Sequence, residues 1–179
     1  MRLFHAHPQR PVGHWSHRPR IRALVAALTV SVLAAALVTA VSIEANAAPA
    51  LLSQGRPATA SSTENATFPA SAAVDGNTGT RWSSAFSDPQ WLQVDLGATA
   101  SISQVVLQWE AAYASGFQIQ TSNDAATWTS IYSTTTGTGG TQTLGITGTG
   151  RYIRILATAR ATQYGDSIYE LQVYAQNAG

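Results

Sequence analysis

Hydrophobic and polar side chains alternate along the second half of the chain. Leu92, Val94 and Leu96 alternate with Gln93 and Asp95. Because successive side chains of a strand point to opposite faces, this alternation predicts a β-strand with one buried face and one solvated face.

The same alternation returns in six further short segments, which cover residues 105–109, 117–120, 128–133, 141–146, 151–157 and 167–174. Glycine, asparagine and aspartate separate these segments, and no segment keeps a helical period of 3.6 residues. Seven or eight short strands with this spacing predict an all-β fold, an antiparallel jelly-roll β-sandwich. The threonine- and glycine-rich stretch 134–143 is interpreted as a hairpin loop, because strand patterns resume on both sides of it.

The first 47 residues differ from the rest of the chain. All four histidines and five of the ten arginines lie within the first 22 positions, and an almost wholly apolar, uncharged run at 23–43 leads to Ala45-Asn46-Ala47. This order is typical of a secretory signal peptide, so we predict cleavage after Ala47 and a secreted, extracellular domain of residues 48–179. The apolar run is long enough to cross a membrane, which leaves an uncleaved anchor as the alternative.

The charge of the mature domain limits the classes of partner that it can bind. Residues 48–179 carry eight carboxylates and five arginines, a net charge of −3, and no lysine. Nucleic acids and anionic membranes require clustered cations, so this balance excludes both as partners. The domain also has no cysteine, so burial of its core must stabilise it without disulfides.

The composition also argues against catalysis. Residues 48–179 contain no histidine, cysteine or lysine, which excludes Ser-His-Asp and Cys-His catalysis, histidine–zinc sites and Schiff-base chemistry. A carboxylate pair is the catalytic arrangement that remains. Most of the eight carboxylates lie in turns or on outward strand faces, so we expect a domain that is not an enzyme.

One polar cluster, Asp75-Gly76-Asn77-Thr78-Gly79-Thr80, has two interpretations. It is either a glycine-rich surface turn or a calcium loop, in which carbonyl, carboxylate and hydroxyl oxygens surround a hard cation. The pattern is not that of an EF-hand, and the residues alone leave both interpretations open.

Eight short motifs follow one another along nearly the whole mature chain: Ala60-Ser61-Ser62, Ala73-Val74-Asp75-Gly76-Asn77, Thr80-Arg81-Trp82-Ser83-Ser84, Gln90-Trp91-Leu92-Gln93-Val94-Asp95-Leu96-Gly97, Phe117-Gln118-Ile119-Gln120-Thr121-Ser122-Asn123-Asp124, Trp128-Thr129, Arg151-Tyr152-Ile153-Arg154-Ile155 and Ser167-Ile168-Tyr169-Glu170-Leu171-Gln172-Val173-Tyr174. In this order they resemble the discoidin family, the C domains of coagulation factors V and VIII. Within that family the chain looks most like the family 32 carbohydrate-binding modules of bacterial glycoside hydrolases. The resemblance implies a jelly-roll sandwich, a structural calcium ion and ligand binding by loops at one end.

The resemblance also implies which residues hold the calcium ion. Backbone carbonyls would come from the positions of Ala72, Asn77, Thr80 and Tyr169, and side-chain oxygens from Asp75, Thr80 and Glu170. All three of those side chains are present. The ion would tie the Asp75 turn to the last strand.

The ligand loops match the family less well. Galactose-binding members use a histidine, an arginine and an asparagine in the loops that match 83–86 and 110–116, and all three are missing here. Lipid-binding members carry apolar spikes among basic residues, and Phe68 and Phe86 have little positive charge around them. The resemblance therefore gives neither galactose specificity nor binding to an anionic membrane.

Six other residues have the chemistry of a sugar site. Aromatic faces stack on pyranose rings and planar polar groups bind hydroxyls, which selects Phe86, Tyr113, Tyr164, Glu110, Arg160 and Asp166. Tyr113 and Glu110 have a structural alternative, in which they serve the fold and Glu110 pairs with an arginine. Because a sandwich places its loops at its two ends, we expect 83–88, 110–116 and 160–166 to meet at one end.

We therefore predict a secreted, non-catalytic module that binds a neutral, β-linked extracellular polysaccharide in a shallow groove with an aromatic floor. In related chains the partner would be a glycoside hydrolase, and this chain is either a stand-alone binder or the remnant of a longer hydrolase. The rival hypothesis is an adhesion or protein-interaction domain of the same fold.

Overall fold

The computed structural model describes residues 48–175 as a domain of eight strands and one short 3₁₀ helix. The predicted signal peptide at 1–47 and residues 176–179 lie outside the described residues. The strands are β1 (Ala58–Ala60), β2 (Trp82–Ser83), β3 (Gln90–Trp109), β4 (Ala114–Ser122), β5 (Thr129–Thr134), β6 (Thr141–Leu144), β7 (Gly148–Arg160) and β8 (Ser167–Ala175), and the 3₁₀ helix is Ala70–Ala73. Every pairing between these strands is antiparallel, which confirms the predicted all-β fold.

The long strand β3 connects the two halves of the sheet. Its first half pairs with β1 and β7, and its second half pairs with β8 and β6. The register with β7 shifts between Asp95 and Ala100, where Gly97 adopts a φ of 88° that other residues rarely tolerate. The segments predicted as strands at 91–96 and 105–109 are therefore two parts of one bent strand.

Both halves of β3 contribute to one hydrophobic core. Leu92 and Val94 from the first half and Val105 and Leu107 from the second half are fully buried in the same cluster. The sheet therefore folds over on itself and encloses the core as a sandwich, as the alternating pattern predicted. Phe117 lies in the same core, with its ring centroid 5.4 Å from that of Trp109.

The interpretation of 134–143 as a hairpin loop is wrong. Strand β5 pairs with β4 and β6 pairs with β3, so the chain between them crosses from one half of the sheet to the other. Its glycines allow a close approach: a Cβ on Gly137 would meet the carbonyl oxygen of Ala114 at 2.6 Å, and one on Gly139 would meet the Tyr113 ring at 2.6 Å. Alternation gives the face of a strand but not its partner, which is why the crossing was missed.

The topology brings three connections to one end of the sandwich. Strand β4 begins where β7 ends, since Ala114 pairs with Arg160, and β8 begins beside the end of β2, since Ser167 pairs with Ser83. The connections 84–89, 110–113 and 161–166 consequently leave the sheet at this end. Within residues 48–175 no helix is long and apolar enough to span a membrane.

Candidate functional site

Backbone hydrogen bonds join the three connections. The Ser84 amide donates to the Asp166 carbonyl at 2.9 Å, the Glu110 amide to the Ser167 carbonyl at 3.0 Å, and the Ser167 amide to the Ala112 carbonyl at 2.8 Å. The expected meeting of these loops is confirmed, and the bonds fix them to one another as well as to the sheet.

Between the loops lies an open cleft of about 370 Å³. Its lining combines charged, aromatic and small side chains, namely Glu64, Arg81, Phe86, Glu110, Ala111, Ala112, Thr162, Tyr164, Gly165 and Ser167. The cleft therefore holds three of the six predicted ligand residues, Phe86, Glu110 and Tyr164.

An aromatic pair forms one wall of the cleft. Phe86 and Tyr164 are 50% and 54% exposed and are the large hydrophobic side chains that residues 48–175 leave exposed. Their ring centroids are 5.9 Å apart and their planes cross at 83°, an edge-to-face pair. Exposing two large rings costs hydrophobic free energy, so such a pair marks a surface suited to an apolar face of a ligand.

Two carboxylates in the cleft lack an arginine partner. The ion pairs among residues 48–175 are Arg151 with Asp95 and Arg160 with Asp88, so Glu64 and Glu110 are both outside them. One Glu110 oxygen, Oε2, accepts a hydrogen bond from the Ala112 amide at 2.8 Å, which orients the side chain. The structural alternative of a Glu110–arginine pair is wrong.

The cation of the cleft is Arg81, which the sequence did not single out as a ligand. Its guanidinium lies 4.0 Å from the centroid of the Phe68 ring, and its Nε donates to the Ser83 hydroxyl at 3.1 Å. Phe68 and Ser83 thus hold this side chain at the edge of the cleft.

Arg160 shapes the β7–β8 loop from behind. Its Nε contacts Asp88 Oδ1 at 3.2 Å, and its Nη1 donates to the carbonyls of Gln163 and Tyr164 at 3.2 and 3.3 Å. The prediction that Arg160 faces the ligand is not met, because its donors bind the loop itself and it does not line the cleft.

Tyr113 also lies outside the cleft lining. Its ring packs against the hydrophobic core and is covered by Gly139 of the crossing loop. The structural alternative, in which Tyr113 serves the fold, therefore describes its position.

Asp166 was predicted to face the ligand, and that position is wrong, because its side chain is fully buried. Neither carboxylate oxygen has a hydrogen-bond partner. The pKa of Asp166 is raised from 3.8 to about 7, mainly by burial and also by the nearby Asp88 carboxylate, while the Arg160 guanidinium partly opposes the rise. A direct hydrogen bond from this carboxyl to a sugar is not available in this arrangement.

A second feature is the Asp75 turn, where oxygen atoms converge. Asp75 Oδ1 accepts from the Asn77 amide at 2.8 Å and its Oδ2 from the Thr80 hydroxyl at 2.8 Å, while Glu170 Oε1 accepts from the Gly76 amide at 2.9 Å. Glu170 is almost fully buried in β8. Its pKa is raised mainly by this burial and also by the neighbouring Asp75 carboxylate.

These residues fit a calcium ion by their chemistry. Carboxylate, hydroxyl and carbonyl oxygens are the donors that calcium prefers, and two carboxylates that approach each other are stabilised by a cation between them. Ala72 lies in the 3₁₀ helix and Tyr169 lies in β8, and these two elements pack against each other, so two of the four predicted carbonyl donors come from neighbouring segments. Residues 48–175 contain no cluster of three or more acidic, histidine or cysteine side chains, so the ion would need the backbone carbonyls.

A comparison with family models matches residues 57–171 to the F5/8 type C domain. The chain belongs to this family. Its F5/8 type C domain is similar to solved structures of modules from a chitosanase/glucanase of Paenibacillus sp. IK-5. Chitosan-binding module 1 is 46% identical, with 70% of this chain and 99% of that chain covered and a TM-score of 0.68. Module 2, in complex with chitotriose, is 44% identical, with 69% and 99% covered and a TM-score of 0.67.

More distant relatives share the same domain. A family 32 carbohydrate-binding module from C. perfringens, in complex with galactose, is 26% identical, with 71% of this chain and 99% of that chain covered and a TM-score of 0.62. Among curated proteins, a polysaccharide lyase 8 family protein of Enterococcus faecalis is 42% identical over 71 residues, which is 40% of this chain and 5% of the lyase. The expected resemblance to discoidin domains and family 32 modules is confirmed.

Glu64 and Arg81 are the cleft residues that sequence reasoning missed. Glu64 lies in the connection after β1 and reaches the cleft because its amide donates to the Ser83 carbonyl at 2.8 Å. Arg81 belongs to the motif Thr80-Arg81-Trp82-Ser83-Ser84, but nothing in this motif indicates that its side chain faces the loops. The long connection between β1 and β2 is therefore a fourth part of the site of this F5/8 type C domain.

Proposed function

We propose that this F5/8 type C domain is a non-catalytic module that binds a β-linked polysaccharide in the loop cleft. The observation that carries the proposal is the cleft itself, with two exposed rings on one wall and three charged side chains within it. Aromatic faces suit the C–H faces of sugar rings, and charged or amide groups suit their polar substituents.

The charges of the cleft favour a polymer that contains glucosamine over a fully neutral one. Glu64 and Glu110 have no arginine partner, and carboxylates bind ammonium groups through short, charge-assisted hydrogen bonds. The similar modules of the Paenibacillus enzyme are described as chitosan-binding, which supports the same direction. This proposal departs from the expected neutral glycan because that expectation counted Arg160 as a ligand and did not include Glu64.

A titration of the domain with chitotriose, N-acetylated chitotriose and cellotriose tests whether the ligand contains glucosamine or is neutral. We expect the tightest binding to chitotriose, and a weakening by added salt because the contacts are partly exposed. Tyr164→Ala and Glu110→Gln should each weaken binding roughly 5- to 150-fold, which corresponds to the loss of about 1–3 kcal/mol. Tyr152→Ala, on the outward face of β7, is the matched control and should bind as the wild type does.

The outcomes separate the hypotheses. Equal binding of all three sugars would support the neutral polysaccharide and remove the role of the carboxylates. Absence of binding to any glycan, in a domain that melts cooperatively, would favour the adhesion or protein-interaction domain. Binding that survives Tyr164→Ala unchanged would place the site elsewhere on the molecule.

We also propose a structural calcium ion held by Asp75, Asn77, Thr80 and Glu170, with carbonyls of Ala72 and Tyr169. A ligand that binds only the folded state raises its stability by mass action. Chelation should therefore lower the melting temperature of the wild type, and Asp75→Ala should remove most of that response. An unchanged melting temperature on chelation would contradict the site.

Export is the last part of the proposal. We infer that residues 1–47 direct secretion and that the mature domain acts outside the cell, where polysaccharides are accessible. Mass spectrometry of the culture supernatant should find a chain that begins at Ala48 or Pro49. Retention of the full-length chain in membranes would support the anchor instead.

A further inference from the structure

Asp166 lies directly behind the cleft, in a position that the proposed sugar contacts do not explain. Its neighbours Gly165 and Ser167 both line the cleft, while its own side chain is fully buried with both oxygens unpartnered. Its backbone is fixed on both sides, because the Asp166 amide donates to the Ser84 hydroxyl at 2.9 Å and the Asp166 carbonyl accepts from the Ser84 amide at 2.9 Å.

Among the charged groups around Asp166, Arg160 favours the ionised carboxylate but does not offset burial and the repulsion from Asp88. Asp88, from the β2–β3 connection, opposes the charge, and the guanidinium of Arg160 is already bound to Asp88 and to two loop carbonyls. From the β3–β4 connection, the Glu110 carboxylate is bound to the Ala112 amide and adds no cation. A buried charge without a partner is costly, so this carboxyl favours its neutral form in the closed loop.

The loop that would respond to ionisation is the loop that carries Tyr164. Tyr164 lies two residues before Asp166 and contacts Phe86, so a movement that hydrates Asp166 also displaces the aromatic wall. Resting on the proposed function, we propose that Asp166 is a positioning residue, which holds the 160–166 loop in its ligand-binding arrangement only as the neutral acid, so that glycan affinity falls when the proton is lost.

The pH dependence follows from proton linkage. In the closed loop the pKa of Asp166 is about 7, whereas in a hydrated, open loop it returns towards the ordinary value of 3.8. The population of the open loop relative to the closed loop therefore increases as the pH rises from about 4 to 7. Above the pKa of the closed loop, this effect levels off.

Asp166→Asn tests the inference, since asparagine has nearly the same shape and does not ionise. The dissociation constant for chitotriose is measured for both proteins between pH 5 and pH 8.5, and the ratio of wild type to variant is compared. The same sugar is used for both, so titration of its amino groups cancels in the ratio. We expect the ratio to rise by about tenfold across this range. Asp124→Asn, at the opposite end of the sandwich, should keep the wild-type profile.

A second measurement keeps the inference separate from the proposed function. Hydrogen exchange of the amides at 161–166, expressed as protection factors, should decrease in the wild type between pH 5 and pH 8.5 and stay constant in Asp166→Asn. This result is expected even if chitotriose does not bind, an outcome that would overturn the proposed function alone. The role of Asp166 would be overturned by a ratio of dissociation constants that is constant or falls with pH. It would also be overturned by protection factors that depend on pH in the same way in the two proteins. Should Asp166→Asn not fold, Asp166→Ala provides the same uncharged comparison.

Discussion

Gly165 is the point at which the fold and the cleft are most closely connected. A Cβ at this position would overlap the carbonyl oxygen of Ser84 and would lie 2.7 Å from its hydroxyl oxygen and 2.9 Å from its carbonyl carbon. The Ser84 amide and hydroxyl are both hydrogen-bonded to Asp166, which fixes the backbone of Ser84, so its carbonyl group is not free to move aside. The substitution Gly165→Ala should therefore separate the β7–β8 loop from the 84–89 connection.

Gly165→Ala should lower the free energy of unfolding. Overpacking a tightly packed position costs about 1–3 kcal/mol. For a domain of this size, each kcal/mol lowers the melting temperature by about 4 °C, so Gly165→Ala should melt about 4–12 °C below the wild type. The displaced loop carries Tyr164, so affinity for chitotriose should fall as well, in protein that is still folded at the temperature of the titration.

A matched control uses Gly145, around which a Cβ would meet no atom within 4 Å. Gly145→Ala removes the same backbone freedom in the unfolded chain but causes no overlap, so its melting temperature should stay near that of the wild type or rise slightly. If Gly165→Ala melts and binds as Gly145→Ala does, the contact between Gly165 and Ser84 does not hold the loop in place, and the argument fails.

Three further predictions concern the sandwich. Phe117→Ala removes a fully buried ring and should lower the free energy of unfolding in urea by about 3–5 kcal/mol. Ser53→Ala removes a buried hydroxyl that bonds a carbonyl and an amide of β8, and should cost about 1–3 kcal/mol in the same assay. Arg151 bonds both oxygens of Asp95 and lowers its pKa to about 2. The stability from this pair is therefore present above pH 4 and is lost as the pH falls towards 2. Because the pair is partly exposed, Asp95→Asn should cost about 1 kcal/mol at pH 7 and nearly nothing at pH 2. A constant difference between these two pH values would contradict this reasoning.

Much of the fold was predictable because its signals are local. The alternation of Leu92 and Val94, or of Phe117 and Ile119, depends only on the geometry of a strand, and all four side chains are buried as expected. The convergence of the loops followed from the sandwich architecture. The partner of each strand depends on contacts between distant segments, and the crossing at 134–143 was missed for that reason.

The cleft itself was harder to predict, because its lining is set by hydrogen bonds between distant segments. Glu64 belongs to a connection with no pattern of its own and reaches the cleft through a backbone bond to Ser83. Arg81 is placed by the Phe68 ring, 13 residues before it in the sequence. Such placement is a property of the folded chain, and no spacing rule predicts it.

In the β7–β8 loop, the chemistry of the side chains alone predicted that three residues contact the ligand directly. Arg160, Tyr164 and Asp166 all have groups that bind sugars, and in an extended strand residues 164 and 166 would face the same side. The bend at 161–164, closed by bonds from Arg160 to the carbonyls of Gln163 and Tyr164, breaks that alternation. Tyr164 therefore lines the cleft while Asp166 lies buried beneath it. Arg160 acts on the ligand surface by shaping the loop, and the tyrosine provides the contact, so substitution of either residue should weaken binding by a different route. Arg160→Ala should lower both stability and affinity, whereas Tyr164→Ala, which removes a side chain that is 54% exposed, should lower affinity alone.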